Sequence, residues 1–195
     1  MPDSLASDTT PDAVLRADPE LGEHLDEHDL PAVEPHEQPF HRVVTSIVNQ
    51  QLSVQSAAAI RGRLFDEFDV TPAGILAADE DALRDVGLSS QKIRYLRNVA
   101  EAWDDTFDPA LYTDTPDDAV LDAVTDVTGI GDWTAKMYLM FVLGREDVFP
   151  VEDLGIRNAM TELYGYEDRA EMVDHAETWQ PFRTHASLLL WRTVD

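Results

Sequence analysis

The sequence predicts an all-α protein, and three observations lead to that prediction. Apolar residues recur at the three- and four-residue spacing of a helix, as at Phe40, Val43, Val44, Ile47 and Val48. Residue types that cap helices, namely Ser, Thr, Asp and Gly, stand at the ends of several such runs. The two-residue alternation of a strand is nearly absent, so no sheet is expected.

The N-terminal part of the chain is expected to carry a tail, short helices and a connector. Residues 1–12 are polar and contain two prolines, which predicts a disordered acidic tail before a folded domain over 13–195. A short helix or two, interrupted by Pro19, follows up to residue 28. Three prolines mark 30–39 as a connector.

Two helices joined by a turn are predicted over residues 40–68, because the polar segment 49–53 interrupts the apolar period. The next three helices begin at capping signals, which are Thr71-Pro72, Asp79, and Ser89 or Ser90.

The second half of the chain continues the helical pattern. Residues 101–126 hold nine acids and no base, and they are expected to form a loop and then a helix from about 116 to 126. Further helices are predicted at 133–143, 154–163, 169–178 and 181–191, with Asp132 and Asp153 as N-caps of the first two.

The composition excludes several classes of protein. There is no cysteine, so disulfides, thiolate zinc sites, iron–sulfur clusters ligated by cysteine and cysteine nucleophiles are ruled out. No run of about 18 apolar residues is present, and the N-terminus lacks the pattern of a signal peptide. We therefore expect no membrane association and a cytoplasmic location.

The net charge argues at first against a nucleic-acid partner. The chain has 14 Lys+Arg and 39 Asp+Glu, a formal charge of −25, and a polyanion repels an acidic protein. Most acids are Asp and nearly all bases are Arg, a bias that resembles the proteomes of salt-in halophiles. In molar salt the Debye length is about 3 Å, so this repulsion would be screened. An acidic protein that avoids nucleic acid remains the alternative.

The segment Val127–Ala135 is the most informative motif. It contains Gly129 and Gly131, one residue apart, between two predicted helices. Such glycines allow a tight turn with positive φ and expose backbone N–H groups at a helix start, which can bind a phosphate without positive side chains. The alternative is an ordinary turn between helices with a glycine C-cap.

Asp153 is the candidate for chemistry. It ends the segment 144–153 at a predicted helix start, where the helix dipole favours the ionised carboxylate. An anion near a cleft can stabilise a developing cation or activate a water. The alternative is an aspartate that only caps its helix and pairs with Arg157.

In this order, the motifs resemble the helix-hairpin-helix base-excision DNA glycosylases, and look closest to their 3-methyladenine-DNA glycosylase II branch. The resemblance runs from about residue 14 to the end. Its motifs are Ile47–Ser53 with Ala57 to Leu64, Gly129–Ala135, Asp147–Pro150 ending in Asp153, and Trp179–Arg183 followed by Leu188–Trp191.

The resemblance implies two interleaved helical lobes with a lesion pocket in the central cleft, a hairpin at about 125–135, and Asp153 as the catalytic carboxylate. The residues implied at the DNA phosphate are Thr128, Gly129, Ile130, Gly131 and Thr134. Many relatives have a lyase lysine at the position of Trp133, so no lyase activity is expected here. No metal or other cofactor is implied, although the family often holds a monovalent cation on the carbonyls of 128–131.

Two further roles come from the resemblance. Trp133 and Trp191, and more weakly Tyr138, are candidates for stacking on the damaged base; core packing is the alternative for each. Gln50, Gln51 and Leu52 are candidates for the side chain that fills the gap left by the flipped base. The alternative there is a polar helix end.

The sequence therefore predicts a monofunctional DNA glycosylase that hydrolyses the N-glycosidic bond of alkylated purines, such as 3-methyladenine and 7-methylguanine, in base excision repair. Its expected partner is double-stranded DNA with damaged bases, with no obligate protein partner and a monomeric state. A glycosylase for deaminated or oxidised bases, and a DNA-binding module without catalysis, are the alternatives.

One motif points elsewhere. The residues from His24 to His28 fit the H-x-x-E-H pattern of inverted zinc proteases, in which two histidines of one helix bind zinc. The pattern lies in an acidic segment flanked by prolines with no evident third ligand, so we do not expect a zinc site.

Overall fold

A computed structural model describes residues 9–27, 29–30 and 32–193. Every regular element in this part of the chain is helical, which confirms the all-α prediction. The α-helices are, in chain order, α1 (Pro11–Leu15), α2 (Pro19–Glu27), α3 (Pro39–Asn49), α4 (Val54–Glu67), α5 (Pro72–Ala77), α6 (Glu80–Asp85), α7 (Ser90–Glu101), α8 (Asp117–Thr125), α9 (Asp132–Phe141), α10 (Leu154–Tyr164), α11 (Arg169–Ala176) and α12 (Arg183–Thr193).

Seven of the described α-helices follow a residue whose side chain accepts a backbone N–H of the first turn, and most of these begin where the sequence predicts. The capping residues are Thr10, Ser53, Thr71, Asp79, Ser89, Asp153 and Asp168. Single turns fill two of the gaps, a π-turn at Trp103–Phe107 and 3-10 turns at Pro109–Tyr112 and Glu177–Trp179.

Several helix boundaries differ from the prediction by one or two residues, and two of them have a clear local cause. Helix α1 begins at Pro11, inside the expected tail of residues 1–12, because Thr10 accepts the N–H of Ala13 and proline suits a first helical turn. Residues 1–8 lie outside the described part. Helix α9 has Gly131 as its N-cap, so the expected cap Asp132 is instead the first helical residue.

The chain divides into two compact units. The first unit joins the N-terminal segment Met1–Val33 to Arg145–Asp195, and the second is the continuous segment Glu34–Gly144. The first unit is thus built from both ends of the chain, and the second from its middle.

The first unit has its own apolar core. Its fully buried members come from α1, α2, α10, α11, α12 and the 3-10 turn at Glu177–Trp179, and they include Leu15, Leu21, Ile156, Met160, Trp179, Leu189 and Leu190. Helix α10 packs on α12 through this core. The N-terminus of α10, where Asp153 lies, is therefore part of a rigid framework.

A buried polar cluster ties the N-terminal segment to the rest of the first unit. Asp18, 7% exposed, accepts hydrogen bonds from two backbone and three side-chain groups. These donors are the N–H groups of Glu20 and Leu21, the hydroxyl of Tyr164, Nε2 of His175 and Nε1 of Trp179. Burial alone would raise the pKa of Asp18, but the hydrogen bonds to its charged form outweigh burial, and the pKa lies below its ordinary value.

The second unit packs α3 against α9, α4 and α7. The apolar face predicted for residues 40–48 is the buried face of α3, and Val44, Ile47 and Val48 are fully buried. Helices α8 and α9 also pack together, so the segment between them is a hairpin held at both ends.

Among the described residues, no helix is long and apolar enough to cross a lipid bilayer. The same part of the chain contains no group of three or more His, Asp or Glu side chains that could hold a metal ion. In the pattern from His24 to His28, the second histidine lies outside the described residues, as do the side chains of Asp26 and Glu27.

Candidate functional site

The first candidate group is the carboxylate of Asp153, which caps the N-terminus of α10 as predicted. Its Oδ1 accepts the backbone N–H of Ile156 at 3.1 Å. The carboxylate also lies at the positive end of the helix dipole of α10. The side chain is only half-buried, so the first unit presents a carboxylate at a helix N-terminus.

Trp191 of α12 lies beside this carboxylate. Its indole Nε1 donates to Oδ1 of Asp153 at 2.8 Å, and its ring packs against the core of the first unit. The sequence marks Trp191 as an aromatic face, but it gives no sign of this hydrogen bond, which joins residues 38 positions apart.

Arg157 of α10 donates to the backbone just before the helix. Its Nη1 donates to the backbone carbonyl oxygens of Val151 at 3.1 Å and Glu152 at 2.5 Å. The N–H of Asp153 in turn donates to the carbonyl of Pro150 at 2.9 Å. The guanidinium thus fixes the chain just before α10, where the carboxylate is presented.

The second candidate group is the hairpin between α8 and α9, in the second unit. Gly129 has a φ of +111°, and a Cβ there would lie 2.3 Å from Cγ of Tyr95, so only glycine fits. Gly131 has a φ of −98° and open space where a Cβ would lie. Of the two glycines expected to allow positive φ, only Gly129 uses it.

The residues predicted to lie at the DNA phosphate differ in their exposure to solvent. Thr128 and Gly131 are exposed at the turn, whereas Ile130 and Thr134 are 5% and 3% exposed. Ile130 anchors the hairpin, since its side chain is buried and its N–H donates to the carbonyl of Val127 at 3.0 Å.

Two amide side chains hold the hairpin from outside it. Nε2 of Gln50 donates to the carbonyl of Gly129 at 3.0 Å and to Oγ1 of Thr134 at 2.8 Å. Nδ2 of Asn98 donates to the carbonyl of Thr128 at 2.9 Å. Gln50 was predicted as a candidate wedge, and its amide is here engaged with the hairpin. Asn98 was missed because its partner is 30 residues away.

The turn between α3 and α4 contains the other two wedge candidates. Gln51 has a φ of +56°, which is uncommon for a residue with a side chain. Leu52 is 38% exposed and the following Val54 is 84% exposed. Lys92 donates to the carbonyls of Val48 and, at 2.8 Å, of Gln50, and burial lowers the pKa of this lysine.

The three predicted stacking residues lie in different surroundings. Trp133 and Trp191 are half-buried, in the second and first unit respectively. Tyr138 is 2% exposed, its hydroxyl donates to the carbonyl of Phe107 at 2.9 Å, and its ring packs edge-on against Phe107 and Tyr112. Tyr138 therefore packs in the core, which is the alternative that the sequence left open for it.

Comparison with known proteins gives a consistent set of relatives. The sequence model of a protein family, the HhH-GPD superfamily base excision DNA repair proteins, matches residues 44–183. DNA-3-methyladenine glycosylase 1 of Schizosaccharomyces pombe is 32% identical over 169 residues, which cover 80% of this chain and 72% of that protein.

Solved structures agree with the sequence relatives. The 3-methyladenine DNA glycosylase Mag1 of Schizosaccharomyces pombe, in complex with abasic DNA, has a TM-score of 0.86 at 28% identity, covering 95% of this chain and 96% of that one. DNA-3-methyladenine glycosidase of Bacillus halodurans has a TM-score of 0.78 at 32% identity, covering 96% and 90%. The family model and these relatives span most of the chain, and it belongs to the HhH-GPD superfamily of base excision DNA repair proteins.

Proposed function

We propose that this chain is a monofunctional DNA glycosylase that removes alkylated purines, including 3-methyladenine and 7-methylguanine, from double-stranded DNA. Within its family we place it in the 3-methyladenine-DNA glycosylase II branch. The observation that carries the proposal is the Asp153 carboxylate, which accepts hydrogen bonds from the N–H of Ile156 and the indole of Trp191. It lies in a chain whose relatives are named as 3-methyladenine glycosylases.

The chemistry needs one well-placed anion. A purine alkylated at N3 or N7 carries a positive charge, so when the bond from C1′ to the base breaks, the electron pair leaves with the base and neutralises it. The sugar becomes oxocarbenium-like, and the Asp153 carboxylate stabilises that cation. A water oxygen then forms the new bond to C1′, and the proton released by the water passes to Asp153 and on to solvent.

The hairpin supplies DNA binding that tolerates the acidic surface. Exposed backbone N–H groups near Gly131, at the start of α9, would receive a phosphate by hydrogen bonds and the helix dipole rather than by basic side chains. Thr128 and Gly129 shape the turn, while Ile130 and Thr134 hold it to the second unit.

The other proposed contacts with DNA are assigned from the exposure of the candidate side chains. Trp133 and Trp191 would stack on the cationic base, and Tyr138 is left out of this set. Gln51 is our choice for the wedge, since Gln50 is engaged with the hairpin and the backbone strain at Gln51 marks a functional turn. Leu52 would then contact the neighbouring base pair.

The absence of lyase chemistry follows from Trp133, which stands where relatives with lyase activity carry a lysine. We also propose that the protein works as a monomer in the cytoplasm of a cell with high internal salt, where its acidic surface keeps it soluble.

The deciding experiment is release of methylated bases from methylated DNA in molar salt. We expect the wild-type chain to release 3-methyladenine and 7-methylguanine, and Asp153→Asn to lower the rate by at least about a hundredfold, because an amide cannot neutralise the sugar cation. Asp153→Asn should still bind a duplex with an abasic-site analogue.

Three outcomes would change the conclusion. Equal base release by Asp153→Asn would remove the catalytic role of that residue. Release of only deaminated or oxidised bases from a panel of lesion duplexes would change the substrate class. DNA binding with no release from any duplex would make the protein a binding module.

A further inference from the structure

The surroundings of Asp153 contain a close contact that base stacking does not explain. The indole Nε1 of Trp191 donates to Oδ1 of Asp153 at 2.8 Å, and this same oxygen accepts the N–H of Ile156 at 3.1 Å. Two donors from different helices therefore converge on one oxygen. A carboxylate held in this way turns less freely about its Cβ–Cγ bond than one held by a cap alone.

Gly155 makes the approach of the indole possible. A Cβ at this position would lie 3.0 Å from Cδ1 of Trp191, 3.2 Å from its Nε1 and 3.1 Å from Oδ1 of Asp153. The backbone does not explain the glycine, because Gly155 lies within α10 and is not among the glycines with positive φ. Glycine is also less favourable than alanine in a helix. The space it leaves is filled by the indole edge.

We infer that Trp191 and Gly155 are positioning residues for the catalytic carboxylate, an inference that rests on the function proposed above. Gly155 leaves room for the indole against the first turn of α10, and the indole N–H fixes the direction of the Asp153 carboxylate. An anion that is already oriented toward C1′ need not reorganise as the sugar cation forms, which raises the rate of the chemical step.

This role differs measurably from stacking. The N–H bond lies in the plane of the indole, so the donor edge serves Asp153 while the ring face can serve a base. Loss of the face should weaken binding of the lesion duplex, whereas loss of the N–H should slow bond cleavage without weakening binding. A change that removes only the N–H therefore separates the two roles.

The first test replaces Trp191 with β-(3-benzothienyl)alanine, which keeps the bicyclic ring but has sulfur in place of the N–H. Single-turnover rates on a duplex containing 7-methylguanine would be measured across enzyme concentrations. We expect the rate at saturating enzyme to fall about tenfold, the size of effect for a hydrogen bond to a charged group. The enzyme concentration at half-maximal rate should change less than twofold.

The same replacement at Trp103 is the control, because this ring packs on Phe40 and Phe107 in the second unit. It should leave both parameters unchanged. An unchanged rate for the variant at position 191 would overturn the inference. So would a raised half-saturation concentration at an unchanged rate, since that result would assign only stacking to Trp191.

The second test is Gly155→Ala, with Gly62→Ala as the matched control. A Cβ at Gly62, in α4, would meet no atom within 4 Å, so Gly62→Ala should keep full activity. Gly155→Ala should lower the saturating rate severalfold with binding retained. Combined with the benzothienyl replacement it should add little further loss, because both changes remove one interaction. Multiplied losses would contradict a shared role.

Failure of this inference is distinguishable from failure of the proposed function. If the wild-type chain releases no methylated base, the proposed function fails and the inference falls with it. If the wild-type chain is active and the benzothienyl variant is equally fast, only the positioning role is wrong.

Discussion

The two units of the chain hold their candidate groups in opposite ways. In the first unit the group with chemistry is a side chain, the Asp153 carboxylate, and N–H groups of α10 and Trp191 hold it. In the second unit the candidate group is the backbone of the hairpin, and the side chains of Gln50 and Asn98 hold it. One unit fixes a side chain, and the other fixes a main-chain turn.

This difference suits the charge of the protein. A chain with 14 basic and 39 acidic residues has few basic side chains for a DNA-binding surface, but its backbone amides carry no net charge and can still bind a phosphate. The side chains of Gln50 and Asn98 can then support the turn rather than contact the phosphate. Substitutions should therefore act differently in the two units, and those of largest effect should change the backbone of the hairpin.

Gly129→Ala should produce the largest loss of stability. The new Cβ would lie 2.3 Å from Cγ of Tyr95, and alanine is strained at a φ of +111°. We expect the free energy of unfolding, measured with urea, to fall by about 2–4 kcal/mol.

Gly131→Ala is the matched control for that change. Its Cβ would meet no atom within 4 Å, and its backbone is extended, so its stability should stay within about 0.5 kcal/mol of the wild type. Its affinity for a duplex with an abasic-site analogue should nonetheless fall, because the methyl group stands beside the exposed amides. Similar losses of stability in both variants would show that the hairpin is not held as described.

The hairpin also shows which features of the site could be predicted from the sequence alone. The glycine spacing predicted a turn there, and Asp153 was predicted as a helix cap, because both depend on residues close in the chain. The support from Gln50 was not predicted, since its hydrogen bond spans 79 residues. Gln50 was a wedge candidate with a polar helix end as its alternative, because a polar residue next to an exposed turn has the same local sequence in either role.

The same limit applies to the first unit. Asp18 looked like one of many acids in an acidic segment, yet three of its donors lie 146 to 161 residues away. Local spacing predicts caps and amphipathic faces, whereas pairings across the fold depend on packing that the period of apolar residues does not specify. The roles of Trp191 and Gly155 beside Asp153 were missed for the same reason.

Asp18→Asn should have the next largest effect, and it tests how rigidly the first unit is held. An amide at position 18 cannot accept all of the hydrogen bonds that the carboxylate receives, so we expect a loss of about 2–3 kcal/mol in the free energy of unfolding at pH 7.

The difference in stability between the wild type and Asp18→Asn should depend on pH. The hydrogen bonds depress the pKa of Asp18 in the folded protein, so its stabilisation is fully present above the ordinary value of 3.8 and is lost as pH falls through the folded value. Urea unfolding of both proteins from pH 7 downwards should show their difference shrinking below about pH 4. A difference that stays constant would mean that the carboxylate charge contributes nothing.

Gln50→Ala should have a smaller effect that is specific to the hairpin. It removes two hydrogen bonds and leaves the buried Thr134 hydroxyl without this donor, which should lower stability by about 1–2 kcal/mol. Gln55→Ala, at an exposed position of α4, is the control and should change stability little. Differential scanning calorimetry and binding to the abasic duplex would be measured together. Weaker binding in the Gln50 variant alone would support side-chain control of the turn.

Gln51→Gly should have the smallest effect, and of opposite sign. Glycine adopts a φ of +56° without strain, while the unfolded chain gains freedom. The balance should stabilise the protein by about 0.5–1 kcal/mol. Gln51→Ala keeps the strain and is the control, so it should show no gain, and both variants should excise bases more slowly if the side chain is the wedge. Because Lys92 holds the carbonyls of Val48 and Gln50, just before Gln51, the start of the turn should keep its shape in both variants. If Gln51→Gly is more stable than the wild type and fully active, the backbone strain at Gln51 exists but has no role in base excision.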